Sequence, residues 1–213
     1  MNPAKAYRIE TERLIIRCYH PSDADLLKQS IDESLDHLRP WMPWALNEPE
    51  PLEKKVARLR KFRGQFDLGL DYTFGMFNKA ETQLIGSSGL HTRLDEQARE
   101  IGYWLNVNYL RQGYGRETVQ ALTKVGFDIE GLERIEIHCD PDNLRSQQIP
   151  QHLGYVNEAT LRNRTTDTDG NKRDLMIWTM LQEAYVQSPI KNMSLRAFDV
   201  LGNAIELDGE GFD

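Results

Sequence analysis

Apolar positions recur with two periods along this chain, and the switches between them mark out the elements. From Tyr7 to Tyr19 apolar and polar side chains alternate, Leu14 and Ile16 on one face and Ile15 and Arg17 on the other, which predicts a strand. Pro21-Ser-Asp-Ala-Asp25 reads as a helix start, so a helix is expected from about Asp23 to Leu38, ended by Pro40 and Pro43. A second helix is predicted over Leu52 to Phe66, with Leu52, Val56, Leu59 and Phe66 along one side. Two strands follow, Leu70–Phe77 and Gln83–His91, joined by a turn at Asn78-Lys-Ala-Glu81, then a charged loop from Arg93 and a strand from Arg99 to Asn106. Gly113 to Ile129 has helical spacing, with Val119, Leu122, Val125 and Phe127 as core candidates and Gly131 as C-cap. Glu133–Asp140 reads as a strand, and Asn143–His152 as a helix bent at Pro150 and closed by Gly154. Two last strands, Tyr155–Arg162 and Arg173–Leu181, are expected around a loop through Thr165 to Gly170.

Strands alternating with helices in this way imply an α/β fold on a sheet of mixed direction. At 213 residues the chain fits one domain with an extension. The division expected is residues 1–187 for the domain and 188–213 for a C-terminal extension. In the extension, Ser194 to Leu201, Gly202-Asn203 and Ala204 to Leu207 read as a hairpin with an acidic end that covers a sheet edge or packs in a homodimer.

Composition changes this picture mainly by exclusion. A net charge of −7 argues against a sequence-independent nucleic-acid binder, which needs a basic face. Cys18 and Cys139 fall in strands without paired metal-ligand spacing, so buried free thiols and no metal site are expected. No signal-peptide pattern opens the chain, and no apolar run approaches about 18 residues, so no membrane association and a cytoplasmic location are expected.

The candidate chemistry lies between Glu100 and Leu153: a strand, the glycine loop Arg111-Gln-Gly113-Tyr-Gly115-Arg116 at a helix start, a strand, and Asp142-Asn-Leu-Arg-Ser146 leading into another helix. A glycine loop opening a helix presents unpaired N–H groups and a positive dipole end to an anion, here read as a pyrophosphate.

These residues resemble the Arg/Gln-x-x-Gly-x-Gly/Ala signature of the GCN5-related N-acetyltransferases (GNAT). Further phrases point to their RimJ/RimL-type branch: Thr11-Glu-Arg-Leu-Ile-Ile-Arg17, Leu38-Arg-Pro-Trp-Met-Pro-Trp44, Ile101-Gly-Tyr-Trp-Leu105, Arg134-Ile-Glu-Ile-His-Cys139 and Leu153-Gly-Tyr155. They occur in family order over roughly residues 8 to 182. The resemblance implies a mostly antiparallel sheet flanked by helices, its central strands splayed to admit acetyl-CoA. It implies acetyl transfer to a primary amine: the α-amine of a protein or peptide N-terminus of ribosomal-protein type, or a small aminoacyl compound.

By the same resemblance, Arg111, Gln112, Gly113, Tyr114, Gly115 and Arg116 hold the pyrophosphate, and Leu105, Asn106 and Val107 run along the pantetheine. Asn143 bonds the pantetheine amide or caps the helix. Ser146 protonates the departing thiolate. Trp41, Met42 and Trp44 wall the amine side, or else plug the core. The glutamate some RimL-like enzymes carry on the late strand pair has no counterpart in Arg162-Asn-Arg-Thr-Thr166. Glu100 is therefore the first candidate base and His138 the second, an imidazole being suited to deprotonate an ammonium. Glu136 is expected in a surface pair.

Two other classes compete. Gly113-Tyr-Gly115-Arg-Glu-Thr118 resembles a dinucleotide fingerprint, but its third glycine is Thr118 and six residues separate it from the strand. No Gly-Lys-Ser/Thr follows to make a nucleotide-phosphate loop. A non-catalytic CoA-binding module remains the third class.

Overall fold

A computed structural model describes residues 5–167 and 169–207; Thr168 and the acidic end of the extension lie outside the described residues. In chain order the elements are β1 (Arg8–Glu10), β2 (Leu14–Cys18), α1 (Ala24–Asp32), α2 (Leu35–Leu38), α3 (Leu52–Asp67), β3 (Tyr72–Asn78), β4 (Leu84–His91) and β5 (Ala98–Leu105). Then come α4 (Tyr114–Asp128), β6 (Arg134–Cys139), α5 (Leu144–His152), β7 (Val156–Thr166), β8 (Lys172–Leu181), α6 (Gln182–Val186), β9 (Arg196–Phe198) and β10 (Ala204–Ile205).

The strands form one sheet in the order β10-β9-β1-β2-β3-β4-β5-β6-β8-β7. Every pairing is antiparallel except β5 with β6, which run parallel. That pair holds for only three residues, ending at Glu100 opposite Glu136. Beyond it Ile101–Leu105 pairs only with β4 and Ile137–Cys139 only with β8, so the sheet splits.

Alternation sends side chains to two cores. Leu14, Ile16, Ile101, Ile135 and Ile137 pack with Val119, Leu122 and Val125 of α4, whereas Ile15, Phe77 and Leu84 meet Leu27 and Ile31 of α1 and Leu59 of α3. Burial of these apolar side chains is worth about 1.5–3 kcal/mol each before entropy is counted. Cys18 and Cys139 are buried free thiols.

Three predicted elements differ from those observed. The strand expected from Tyr7 to Tyr19 is a hairpin, turned where the Thr11 hydroxyl and amide bond the backbone of Leu14. The first helix breaks at Glu33–Ser34, because the Ser34 hydroxyl bonds the Ser30 carbonyl and accepts the N–H of Val107. The strand expected to end at Arg162 runs on as β7 to Thr166, past an irregularity at Asn163, whose φ is +54°. In the extension, β9 pairs with β1 and β10 with β9, so the hairpin prolongs the sheet. Among the described residues no helix is long and apolar enough to cross a membrane.

Candidate active site

The split between β5 and β6 opens into a cavity of about 560 Å³ lined by residues from both faces of the sheet. Its free edge is chemically active for a topological reason. The Asn106 N–H bonds the Ile85 carbonyl, 2.8 Å away, making those two residues a hydrogen-bonded antiparallel pair. The next pair, Leu105 with Gly86, is then non-hydrogen-bonded, which turns the N–H and C=O of Leu105 toward the split. Leu105 can pair with an extended ligand as a further strand would. The N–H groups of Asn106 and Val107 are already used inside the chain, so of the three residues expected along the pantetheine only Leu105 has its N–H free for it. The Asn106 side chain instead ties the strand end to α1, donating to Ser30 Oγ (3.1 Å) and Glu33 Oε2 (2.8 Å).

The glycine loop is built as the sequence implied. Arg111 (φ +61°) and Gly113 (φ +84°) bend the chain so that the first turn of α4 starts at Tyr114. The N–H groups of Tyr114, Gly115 and Arg116 precede the first backbone bond of the helix, from Glu117 N–H to the Gly113 carbonyl. Arg111 and Arg116 are exposed beside the loop, and Gln112 braces it by donating to the Asn108 carbonyl. Sequence reasoning missed the clamp behind it. Arg13 donates to the Gln112 carbonyl (2.8 Å), pairs with the buried Glu117 (2.6 Å) and covers the Tyr114 ring at 4.5 Å. An acidic residue at a helix start was visible, but nothing showed that Arg13 would reach it.

On the α4–α5 face of the split, Asn143 caps α5, its Oδ1 accepting the Ser146 N–H at 3.1 Å. It lines the cavity as well, with Nδ2 still to donate. Ser146 Oγ lies 3.1 Å from the hydroxyl of Tyr103, a residue of β5 that carried no expectation. Burial pushes the Tyr103 hydroxyl well above the ordinary tyrosine pKa. Cys139 also lines the cavity, but burial pushes its thiol up to about 11, so it is protonated at neutral pH and is no nucleophile.

On the opposite face, a row of ionisable groups crosses β4, β5 and β6. His91 is opposite Glu100, and Glu100 opposite Glu136. The structure brings the two expected bases together, with His138 Nδ1 3.7 Å from Glu100 Oε2. His138 Nε2 is 2.7 Å from Glu136, which also takes Arg134 at 2.8 Å and is buried at 8% exposure, so the surface pair expected for Glu136 is an internal one. Arg93 holds the other oxygen of Glu100 at 3.1 Å. Sequence reading missed Asp71 and His91. Both Asp71 oxygens lie 3.0 Å from His91 Nδ1, and Asp71 also accepts the Thr92 N–H. Burial acts to raise the Asp71 carboxyl pKa, but His91, the Thr92 N–H and Arg93 together outweigh it and hold it below the usual range.

Trp41, Met42 and Trp44 are half-buried and line the cavity, and Trp44 also packs against the α1–α3 core. Trp44 packs on Trp104 at 5.9 Å, and the Arg173 guanidinium covers the Trp41 ring at 5.2 Å while pairing with Asp140 at 2.7 Å. Thr165, Thr166 and Leu175 of the β7–β8 arm complete the wall, a contribution hidden by reading that segment as a loop.

An opened sheet edge with a helix start beside it offers backbone donors to an extended, anionic ligand, and the comparisons with known proteins say to which family such a site belongs. Residues 13–156 match the acetyltransferase (GNAT) domain family, and the chain belongs to that family. The ribosomal protein uS5-alanine N-acetyltransferase of Escherichia coli is 26% identical over 172 residues, covering 78% of this chain and 87% of that protein. The ribosomal-protein-serine acetyltransferase of the same organism is 28% identical over 127 residues, 57% of this chain and 69% of that one. The solved structure of RimL, a ribosomal-protein α-N-acetyltransferase in complex with coenzyme A, superposes with a TM-score of 0.74 at 18% identity, covering 82% of this chain and 97% of that one. The fold is that of RimL, and the chain is a GNAT-family N-acetyltransferase, a family that uses acetyl-CoA.

Proposed function

We propose that this enzyme transfers the acetyl group of acetyl-CoA to the α-amine of a protein or peptide N-terminus, with a ribosomal protein as acceptor, in the cytoplasm. The observation that carries the reading is the two-sided split. The acyl donor's cradle and Ser146 lie toward α4 and α5, while the acidic and imidazole groups and the tryptophan wall lie toward α1 and α3. A donor and an acceptor entering from opposite faces meet at the free edge of β5.

The residues divide accordingly. The first turn of α4, with Arg111 and Arg116, takes the pyrophosphate. Leu105 backbone and Asn143 Nδ2 bond the pantetheine. Ser146, hydrogen-bonded to Tyr103, returns a proton to the CoA thiolate. Glu100 gives the amine side a negative charge that draws an ammonium in and holds it, and the imidazole of His138 beside it is a group of the kind that accepts the ammonium's proton. Trp41, Met42 and Trp44 contact the first residue of the peptide. The named relatives that acetylate ribosomal proteins support a protein acceptor.

The test is CoA release from acetyl-CoA with hexapeptides that differ in their first residue, beside a set of aminoacyl compounds. Turnover on particular peptide N-termini is the expected result. Turnover confined to the aminoacyl compounds would replace the protein acceptor with a small one. Acetyl-CoA binding with no turnover on either set would favour a binding module.

A further inference from the structure

Glu100 and His138 each meet the acceptor side with a partner already in place, Arg93 on the one and Glu136 on the other. His91 differs. Its Nδ1 faces both oxygens of Asp71, which fixes Nδ1 as the N–H donor and leaves the lone pair on Nε2. The ring lies over two glycines of adjoining strands: a Cβ on Gly89 would fall 2.6 Å from Nε2, and one on Gly102 would fall 3.6 Å from it. Gly102 belongs to the stretch of β5 that has left β6, so the imidazole stands beside the split, and His91 lines the cavity.

We propose that His91 is the general base of the reaction and Asp71 its positioning residue; the inference rests on the acetyl-transfer reading. His91 Nε2 takes one proton from the acceptor's ammonium. The freed amine attacks the thioester carbon, and the tetrahedral adduct collapses with cleavage of the C–S bond. The sulfur gains a proton from Ser146, and the nitrogen's second proton passes through solvent to restore the Ser146 hydroxyl, so the products are an amide and CoA thiol, with one proton left on His91 for release to water. Asp71 keeps Nε2 as the acceptor and stabilises the imidazolium that forms. The charged and titratable groups around the imidazole are Asp71 before β3, Arg93 after β4, Glu100 on β5, Glu136 and His138 on β6, and Arg58 of α3 across the cavity. Glu100 acts there as the counter-charge that holds the ammonium.

The experiment compares wild type, His91→Gln, Asp71→Asn and Glu100→Gln by the pH profile of kcat/KM with an alanine-initiated hexapeptide, each variant checked for its melting temperature and its affinity for acetyl-CoA. The wild type is expected to lose activity as pH falls and the imidazole gains its proton. His91→Gln should lower kcat about 10²- to 10³-fold and abolish that acid limb with acetyl-CoA affinity kept. Asp71→Asn should move the limb to lower pH, since an amide does not stabilise the imidazolium. Turnover of His91→Gln within threefold of wild type, with the same limb, would overturn the proposal and return the role to Glu100 or His138. Should His91→Gln fail to fold, nitrogen-15 spectra of the wild-type imidazole decide: the Nδ1–H tautomer is required, and an Nε2–H form overturns the assignment. Wild type inert toward every peptide and aminoacyl compound would instead sink the acetyl-transfer reading, and those spectra would still judge the geometry.

Discussion

The Tyr103 hydroxyl stands 3.1 Å from Ser146 Oγ and 3.0 Å from the Ser146 carbonyl, joining the free edge of β5 to the first turn of α5 across the split. Tyr103 and Trp104 are neighbours in sequence and face opposite sides of the sheet, one toward Ser146 and the other toward Trp44. One strand thereby contacts both Ser146 and Trp44, the residues proposed to protonate the thiolate and to wall the acceptor.

Ser146→Ala is expected to lower kcat about 10²-fold, the low end of what a general acid contributes, with acetyl-CoA affinity unchanged. Tyr103→Phe removes a hydrogen bond of about 1 kcal/mol and should cost roughly fivefold in kcat. Because burial raises the Tyr103 pKa, its hydroxyl keeps its proton through the neutral range. An alkaline fall in kcat centred below pH 10 should therefore persist unchanged in Tyr103→Phe; its disappearance would contradict this assignment.

Asn106 shows a different relation between site and scaffold. Its buried amide joins the end of β5 to Ser30 and Glu33 of the broken first helix, and Val107 does the same through Ser34. Asn106→Ala removes both bonds and the acceptor of the Asn108 N–H, although Ser30 keeps the Leu84 carbonyl and Glu33 keeps Gln29 and Asn108, and it should destabilise the fold by about 1–3 kcal/mol in urea melts. If Leu105 is positioned by this anchor, KM for acetyl-CoA should rise as well. A stability loss with KM unmoved would show that Leu105 is held by β4 alone.

How much of this could be read from the sequence depends on how local each feature is. The glycine loop, Ser146 and the tryptophans are short contiguous phrases, and the structure has that loop at the start of α4 and Ser146, Trp41 and Trp44 along the cavity. The break in the first helix was not legible, because Ser34 has helix-compatible neighbours and its partner Val107 lies 73 residues away. Arg13 with Glu117 and Asp71 with His91 were missed for the same reason, separations of 104 and 20 residues across different elements. Periodicity reports which face a residue occupies, and these pairs depend on which two faces meet. The β7 extension was misread because Arg162–Thr166 is polar on both sides, as an edge strand beyond the core is free to be.

The wall carrying Trp41 and Trp44 is anchored by Glu48, whose carboxylate accepts from Lys55 and from Arg58 (3.0 Å); Lys55 and Glu48 are fully buried. Lys55→Met leaves that carboxylate short of a charge and should cost about 3–5 kcal/mol. Burial opposes ionisation of Glu48, but its partners prevail and hold its pKa below the usual carboxylate value. The folded pKa is depressed, so the stabilisation is complete above the unfolded value of about 4.3 and is lost as pH falls below it. Melting temperature measured from pH 6 downward should decline through that window in wild type, and less steeply in a Glu48→Gln variant.

Gly113 and Gly115 separate backbone strain from crowding in the cradle. At Gly113 an alanine must hold φ near +84°, at a cost of about 1–2 kcal/mol, while its Cβ meets only the flexible Arg13 Nη2 at 3.3 Å. Gly113→Ala should therefore lower stability by that amount, and weaken acetyl-CoA further if the loop relaxes. Gly115 has ordinary helical backbone, where alanine is favoured by about 1 kcal/mol, but its Cβ would fall 3.0 Å from Ile149 Cδ1 and 3.3 Å from Leu105 Cδ1. Both neighbours are ends of side chains that can turn, so stability should change little. The displaced Leu105 lies on the edge that takes the pantetheine, so KM for acetyl-CoA should rise without a matching loss of melting temperature. Thermal melts and acetyl-CoA titrations on the two variants check this, and equal effects on both measurements would mean that the loop has no separate strain and contact roles.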